Sequence, residues 1–365
     1  MAPRHHESTQ LIPQGRAVTR RELLRSVPAL LLAPKLAAQS AGARIRVRGF
    51  NHLTLTVSDV KRSVEFYQGL FGMPIQARQG AATVALRIGQ GPQALALTGG
   101  ANARPSINHF CFGVDDFDVE RLLKLLAEQG ITRSDQAGGG LTGGPMKARV
   151  RMRGPEAGGA KEGTPELYFA DPDGIIVQLQ DPSYCGGGGT LGNVCSPQAA
   201  PSKGLLGLRD LNHVTVFVSD GPRSNALYRQ LFGFGIRSYQ GPDAPTLAVG
   251  GGVQFAMLAG GGPARGGAGG QRPAGINHLA MSIENFNHER VLKTLESYGI
   301  KPREGATAPV PPLHSYVTMR MENRGGARDG TPELYFTDPD GILIQLQDVS
   351  YCGGSGYLGN LCSGR

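Results

Sequence analysis

The sequence predicts an α+β protein made of four units, each a strand, a helix and then several strands, that pair into two domains. One long motif occurs twice, an Asn-His pair opens a strand-like stretch at four places, and strand-like alternation gives way to helical spacing after these stretches. A composition of 40% hydrophobic and 18% charged residues excludes a wholly disordered chain and a polytopic membrane protein.

Internal repetition is the strongest signal. The segment 164–174, with the sequence Thr-Pro-Glu-Leu-Tyr-Phe-Ala-Asp-Pro-Asp-Gly, returns at 331–341 with one residue changed. The Asn-His pair at 51–52 returns at 212–213, and the pair at 108–109 returns at 277–278. We therefore predict two homologous domains, residues 45–195 and 207–362, joined by a Ser/Pro/Ala-rich linker over residues 196–206.

Each domain begins with a strand and a helix. From His52 to Val57 polar and apolar residues alternate, which predicts a half-buried strand that starts at the His. Ser58 is expected to cap a helix that ends at Phe71-Gly72. The stretch after His213 repeats this pattern, with Ser219 in the place of Ser58.

The net charge of +8 is concentrated near the N-terminus. Residues 1–50 hold nine Lys or Arg and two Glu, and the remainder is nearly neutral, so we exclude a nucleic-acid-binding protein. Within residues 1–43, Arg20-Arg21 precedes a short apolar stretch and several small residues, which resembles a cleavable twin-arginine export signal. We expect a periplasmic or secreted protein without a stable membrane anchor. A disordered basic tail is the alternative.

Four of the five cysteines form two matched pairs, Cys185 with Cys195 and Cys352 with Cys362. In an oxidising compartment each pair is most simply a local disulfide that closes the tail of its domain. Zinc is the competing interpretation, but no neighbouring His or Cys completes a tetrahedral set. Cys111 lies in an apolar strand pattern and is expected to be a buried free thiol.

Units that open on a strand-borne His and close on Asp-Pro-Asp-Gly resemble the vicinal oxygen chelate superfamily. This group includes glyoxalase I, bleomycin-resistance proteins and extradiol dioxygenases. The resemblance covers residues 48–182 and 209–349. It implies that βαβββ units pair into curled mixed sheets around a cleft that holds a divalent metal ion. Four units in two domains is the layout of the two-domain extradiol enzymes.

The resemblance identifies two candidate metal sites, one in each domain. Strand alternation turns the unit-start histidines away from the apolar face and into the cleft. The family's third ligand is a Glu four residues after the turn glycine, where this chain has Gln. An amide oxygen can coordinate, but the lost negative charge lowers the affinity for a divalent ion. In the alternative interpretation the histidines are polar residues kept with Asn for turn geometry. The candidate ligands are His52, His109 and Gln178, and His213, His278 and Gln345.

Other site residues carry over less directly. Tyr168 and Tyr335 match a tyrosine that hydrogen-bonds the substrate in extradiol enzymes; the alternative is an aromatic residue that fills the strand face. Glu166 and Glu333 are possible substitute carboxylates, although we expect them to be polar cleft or edge residues. The family's general-base His has no counterpart, because Ala94 occupies about that position.

We expect an exported metal-dependent enzyme that resembles the extradiol dioxygenases and acts on a small catechol-like or other vicinal-oxygen substrate. The cofactor would be Fe(II) or Mn(II), with Zn(II) as an alternative. Three other functions stay open: a glyoxalase-like lyase or isomerase, a non-catalytic small-ligand-binding protein of the bleomycin-resistance type, and a structural protein with vestigial sites. A homo-oligomer is also compatible, since such units also pair between chains.

Overall fold

The computed structural model describes residues 44–100, 102–135, 138–260, 272–305 and 310–362, and the predicted export signal lies outside them. The first half contains β1 (Val47–Val57), α1 (Val60–Phe71), β2 (Ile75–Gln79), β3 (Thr83–Arg87), β4 (Ala94–Gly99), β5 (Ser106–Val114), α2 (Val119–Glu128), β6 (Thr132–Arg133), β7 (Lys147–Arg153), β8 (Thr164–Ala170) and β9 (Ile176–Gln180). The second half contains β10 (Leu208–Val218), α3 (Gly221–Phe232), β11 (Ile236–Tyr239), β12 (Pro245–Ala248), β13 (Phe255–Gly260), β14 (Gly275–Ile283), α4 (His288–Ser297), β15 (Lys301–Pro302), β16 (His314–Arg320), β17 (Thr331–Thr337) and β18 (Leu343–Asp348).

Each half forms one nine-stranded mixed sheet. The strand order is β2-β3-β4-β1-β5-β9-β8-β7-β6 in the first sheet, and the second sheet repeats it as β11-β12-β13-β10-β14-β18-β17-β16-β15. The first strand of each half lies beside the last strand of its own unit, in parallel, and beside the first strand of the next unit, antiparallel. The predicted α+β fold with paired βαβββ units is confirmed.

Alternation along β1 separates the core from the concave face of the sheet. Leu53, Leu55 and Val57 are fully buried in the hydrophobic core, while His52 and Thr54 point to the opposite face. The strand begins five residues before the His, at Val47, so the prediction that the strand starts at the Asn-His pair is wrong. The pair lies within the strand, and turn geometry does not explain it.

The first helix of each half is capped by Asp, and the prediction of serine caps is wrong. The Asp59 side chain accepts a hydrogen bond from the Arg62 backbone N–H, and Asp220 does the same at α3. The preceding serines, Ser58 and Ser219, bind the opposite half of the molecule instead. A serine followed by an aspartate offers two possible caps, and the contact across the interface decides between them.

The two Asp-Pro-Asp-Gly turns connect the halves, because each turn forms hydrogen bonds and an ion pair with the other half. Asp171 Oδ1 accepts backbone N–H groups of its own turn, whereas Oδ2 accepts the hydroxyl of Tyr228 from α3 at 3.4 Å. Asp173 accepts the backbone N–H and hydroxyl of Ser219 and an ion pair from Arg223. The second turn repeats these contacts toward α1 through Asp338, Tyr67, Asp340, Ser58 and Arg62.

Apolar and backbone contacts continue the interface between the halves. Phe112 of the first sheet packs edge-on against Phe232 of α3, with ring centroids 5.3 Å apart. Between the two halves, the Gln93 side chain bridges the Phe50 carbonyl and the Leu211 N–H. The Gln254 side chain bridges the Phe50 N–H and the Leu211 carbonyl. The halves therefore share one core. No helix in the described part of the chain is long and apolar enough to cross a membrane.

Both predicted cysteine pairs form disulfides. Cys185 bonds Cys195 and Cys352 bonds Cys362, with the Cα atoms of each pair 6.3 Å apart. Cys111 is a buried free thiol, as expected. Each disulfide loop follows the last strand of its half, and in the first half Cys185 and Gly186 of this loop line the concave face.

Candidate functional site

The concave face of the first sheet encloses a cavity of about 270 Å³. Its lining extends across the sheet from β2 to β7, so the sheet curls around it. One wall is built from small apolar residues, Ala85, Ala94 and Ala96. The predicted site residues line the same cavity, with His52 on β1 directly beside Ala94 on β4, and Arg151 of β7 and Tyr184, Cys185 and Gly186 near the disulfide complete the lining. The second sheet has a cavity of about 380 Å³ at the equivalent place.

A chain of hydrogen bonds sets the tautomer of His52. The Asn51 side-chain NH₂ donates to the Tyr184 carbonyl at 2.8 Å, which turns its oxygen toward the imidazole. His52 Nδ1 lies 2.8 Å from that oxygen and must therefore donate, so its Nε2 carries a lone pair. Asn108 orients His109 through the same contact, at 2.8 Å. The asparagines thus fix the tautomer and the orientation of the two rings, as the hydrogen-bond partners of metal-binding histidines do in other proteins.

The two rings and the amide converge on one point at the floor of the cavity. His52 Nε2 and His109 Nε2 each lie 3.0 Å from Gln178 Oε1. All three are acceptors, because the Nδ1 protons are committed to asparagines. Thr54 supplies a hydroxyl 3.1 Å from His109 Nε2, but in the described chain no donor lies between His52 Nε2 and Gln178 Oε1. A group of lone pairs that face one another is the arrangement a cation stabilises.

The amide nitrogen of Gln178 tests whether a metal fits. It is buried and has no hydrogen-bond partner among the described residues. A metal ion held by Oε1 and both Nε2 atoms suits this N₂O donor set, since imidazole and amide oxygen are accepted by Fe(II), Mn(II) and Zn(II). Rotating the amide by half a turn would instead place its NH₂ between the two rings. Gln178 therefore offers one arrangement for the metal-bound site and another for the metal-free site.

Burial keeps the candidate ligands neutral. Desolvation lowers the pKa of His52 to about 4, and desolvation together with the nearby His52 lowers the pKa of His109 to about 3. Desolvation also lowers the pKa of His278 to about 4 and that of His213 well below its usual range. Neutral imidazoles near pH 7 are the form that binds metal.

The second site departs from the first at two positions. His213 Nε2 lies 3.1 Å from Gln345 Oε1, but His278 Nε2 is buried without a hydrogen-bond partner within the described chain. Phe255 stacks on the His213 ring at 4.3 Å between centroids, in the place where the first domain has Ala94. The aromatic side chain covers one face of the imidazole that is open in the first domain.

A buried ion pair supports the predicted tyrosine. The Tyr168 hydroxyl donates to Glu166 Oε2 at 3.0 Å, and Glu166 Oε1 accepts from Arg153 Nε at 2.7 Å and from the Tyr184 hydroxyl at 2.8 Å. Arg153 and Glu166 are almost fully buried. Tyr335, Glu333, Arg320 and Tyr351 repeat this network. Both oxygens of Glu166 are thus occupied by Arg153 and the two tyrosines, and Glu166 does not join the histidines as a candidate metal ligand.

Sequence reasoning missed four residues at the two sites, Arg153, Tyr184, Phe255 and Arg151. Arg153 recurs as Arg320 at the same offset as the long repeat, and Tyr184 precedes a cysteine in both copies, so the repeat itself held that signal. The contrast between Ala94 and Phe255 is visible only after the strands are aligned. Arg151 at the cavity has Thr318 as its counterpart and carried no signal of its own.

Paired βαβββ units, curled sheets and a strand-borne His pair in each cavity define a protein of the vicinal oxygen chelate type. The family model described as the Glyoxalase/Bleomycin resistance protein/Dioxygenase superfamily matches residues 49–179 and 210–346. The chain belongs to this superfamily.

Solved structures of two enzymes share the fold. One is the Mn(II)-bound glyoxalase from Novosphingobium aromaticivorans, at 15% sequence identity, a TM-score of 0.53 and coverage of 83% of this chain and 82% of the other. The other is homoprotocatechuate 2,3-dioxygenase from Brevibacterium fuscum in complex with 3,4-dihydroxyphenylacetate, at 18% identity, a TM-score of 0.54 and coverage of 84% and 83%. At such identities the similarity concerns the fold.

Proposed function

We propose that this protein is a divalent-metal-dependent enzyme acting on a small catechol-like or other vicinal-oxygen substrate, with the working site in the first domain. The observation that carries the proposal is the convergence of His52 Nε2, His109 Nε2 and Gln178 Oε1 at 3.0 Å on the cavity floor. These three residues would hold Fe(II) or Mn(II), with Zn(II) as an alternative. The metal would act there as a Lewis acid toward two adjacent oxygens of the substrate.

The cavity walls support a flat ligand that is polar at one edge. The small side chains of Ala85, Ala94 and Ala96 leave room for a ring, and Tyr168 of β8 lines the same cavity. Tyr168 would accept a proton from a substrate hydroxyl at its Oη as it passes its own proton to Glu166 Oε2. Tyr168 and Glu166 together would then act as the general base, since Ala94 stands where the extradiol enzymes have their general-base His.

Metal content tests the proposal. Wild-type protein, the double variant His52→Ala/His109→Ala and the matched control His213→Ala/His278→Ala are purified anaerobically and analysed for iron, manganese and zinc. We expect the metal to be lost in the first variant and largely retained in the control, with circular dichroism confirming that all three are folded. Equal metal in wild type and the His52/His109 variant would refute the proposal. If the metal depends on His52 and His109 as expected, oxygen uptake with a catechol panel distinguishes dioxygenase from lyase or isomerase activity.

A non-catalytic ligand-binding protein is the second candidate, because a rotated Gln178 amide satisfies both imidazoles without a metal. It predicts that a catechol binds metal-stripped protein as tightly as metal-loaded protein.

We also propose that the protein is exported. The two disulfides support this, since such bonds persist in oxidising compartments. Cell fractionation with a variant in which both Arg20 and Arg21 become Lys tests it, because a twin-arginine signal depends on that pair.

A further inference from the structure

The cavity of the second domain has two buried polar atoms without a hydrogen-bond partner. His278 Nδ1 donates to the Asn277 side-chain oxygen at 2.7 Å, so His278 Nε2 carries a lone pair. Among the described residues no group donates to this Nε2, and the Gln345 amide nitrogen has no acceptor. Both side chains line the cavity and are more than nine-tenths buried. A hydroxyl group satisfies an unused acceptor and an unused donor together, because it donates one hydrogen bond and accepts another.

The second domain does not repeat the convergence that supports a metal ion in the first. In the first domain His109 Nε2 lies 3.0 Å from Gln178 Oε1. In the second domain Gln345 Oε1 lies 3.1 Å from His213 Nε2, but His278 Nε2 forms no such contact with it. The lone pair of His278 is therefore available to a ligand that brings a proton, and no metal ion is needed to satisfy it.

The walls of the second cavity suit an aromatic ligand. Its lining includes Phe217, Tyr316, Tyr335 and Tyr351. Tyr316 and Tyr335 stack with ring centroids 5.1 Å apart. Phe217 stands where the first half has Thr56, and Met257 stands where it has Ala96. The volume of about 380 Å³ is at the lower end of the range for small-molecule sites, so a compound with one ring fits its size.

Two arginines favour an anionic group on this ligand. Arg272 and Arg324 line the cavity, and the Arg272 guanidinium lies over the Phe217 ring, 4.7 Å from its centroid. Among the described lining residues Glu333 is the one acid, and the buried Arg320 offsets its charge by donating to it from Nε at 2.7 Å. The charge that remains at the cavity is positive, and guanidinium groups pair well with carboxylates.

We infer that the second cavity binds a monohydroxylated aromatic carboxylate without a metal ion. The hydroxyl would donate to His278 Nε2 and accept from the Gln345 amide, and the carboxylate would pair with Arg272 and Arg324. The ring would lie among the aromatic walls. This site goes beyond the proposed function, which concerns a metal in the first domain, and it does not depend on that metal.

Calorimetric titration of metal-stripped protein in excess EDTA tests the inference without catalysis. We expect 4-hydroxybenzoate to bind wild type at one site per chain, with an affinity that falls as salt is added. Benzoate lacks the hydroxyl and 4-hydroxybenzyl alcohol lacks the charge, so each should bind about 10-fold more weakly. Equal binding of the three compounds, or no binding of 4-hydroxybenzoate, would overturn the inference.

Variants in matched pairs assign the binding to the second cavity. His278→Ala should weaken 4-hydroxybenzoate about 10-fold and leave benzoate unchanged, whereas His109→Ala in the first domain should change neither. Arg324→Met, at an exposed position, should weaken both carboxylates about 10-fold and leave 4-hydroxybenzyl alcohol unchanged. Arg151→Met, at an exposed position of the first cavity, is its control and should change none of the three.

The inference requires that His278→Ala weakens 4-hydroxybenzoate and that His109→Ala does not; any other result for this pair overturns it. Circular dichroism checks that the variants are folded. If His278→Ala does not fold, Arg324→Met compared with Arg151→Met decides in the same way, since weaker binding in Arg151→Met would assign the ligand to the first cavity. None of these outcomes alters the metal content of wild type, so the proposed function stands or fails separately.

Discussion

Replacing Asp171 with Asn is expected to make the protein more stable relative to wild type as the pH rises from 4 to 7. The Asp171 carboxyl is fully buried in the first Asp-Pro-Asp-Gly turn. Desolvation, only partly offset by backbone hydrogen bonds and by the Tyr228 hydroxyl, raises its pKa from 3.8 to about 6. Asp173 in the same turn adds a repulsive charge. An Asn keeps the acceptor oxygen for the turn and carries no titrating proton.

The sign and size follow from linkage. The folded protein holds the Asp171 proton more tightly than the unfolded chain, so the stability from this group is complete below pH 3.8 and is lost as the pH rises through about 6. A shift of roughly two pKa units corresponds to about 3 kcal/mol. The free energy of unfolding of Asp171→Asn minus that of wild type should therefore rise by about 3 kcal/mol over this window.

Urea unfolding followed by circular dichroism at several pH values measures this difference, since the chain has no Trp for fluorescence. The buried histidines have lowered pKa values and act in the opposite direction, but they are present in both proteins and cancel in the difference. Tyr228→Phe removes a hydrogen bond that lowers the pKa of Asp171, so it should steepen the loss of stability. A difference that does not change between pH 4 and 7 would refute the reasoning.

Three further predictions concern the cavity and its supports. Removing the Cys185–Cys195 disulfide by Ser substitution opens a loop with a sequence separation of 10 and should cost about 3 kcal/mol in urea unfolding, and an unchanged midpoint would contradict this. Arg153→Met leaves the buried Glu166 carboxylate unpaired and should lower the free energy of unfolding by about 3–5 kcal/mol, whereas Arg153→Met/Glu166→Met should lower it by less. Equal losses of stability in the two variants would show that the unpaired carboxylate is not their cause. Ala94→Phe should abolish catechol binding to the first domain in calorimetry while the fold is kept, because Phe255 covers the equivalent imidazole; unchanged binding would contradict the assignment of the site to this domain.

The fold was predictable because its signals are periodic. Alternation along β1 places His52 opposite Leu53, and the structure keeps them on opposite faces. The repeat predicted both halves and both disulfides. Contacts between distant segments have no such period, so the serine cap at Ser58 was mistaken: Asp340, 282 positions away, binds that hydroxyl.

The candidate site was predictable in its members and not in its electrostatics. The spacing after Gly174 points to Gln178, but the orientation of its amide depends on which nitrogen of each ring carries a proton. That depends in turn on Asn51 and on the carbonyl of Tyr184, which lies 133 positions further along the chain. The pairing of Glu166 with Arg153 likewise arises from the register of β8 against β7.

The two edges of each imidazole explain why histidine, and not another polar residue, stands at these positions in both halves. On its Nδ1 edge His52 is tied through Asn51 to the disulfide loop, so this edge contributes to the fold. On its Nε2 edge the hydrogen-bond partner is Gln178, another site residue. His278 makes the contrast sharper, because its Nδ1 binds Asn277 while its buried Nε2 has no partner in the described chain. Fold stability accounts for the first edge alone. A buried lone pair without a donor costs free energy, and a ligand that supplies positive charge at that edge would recover it.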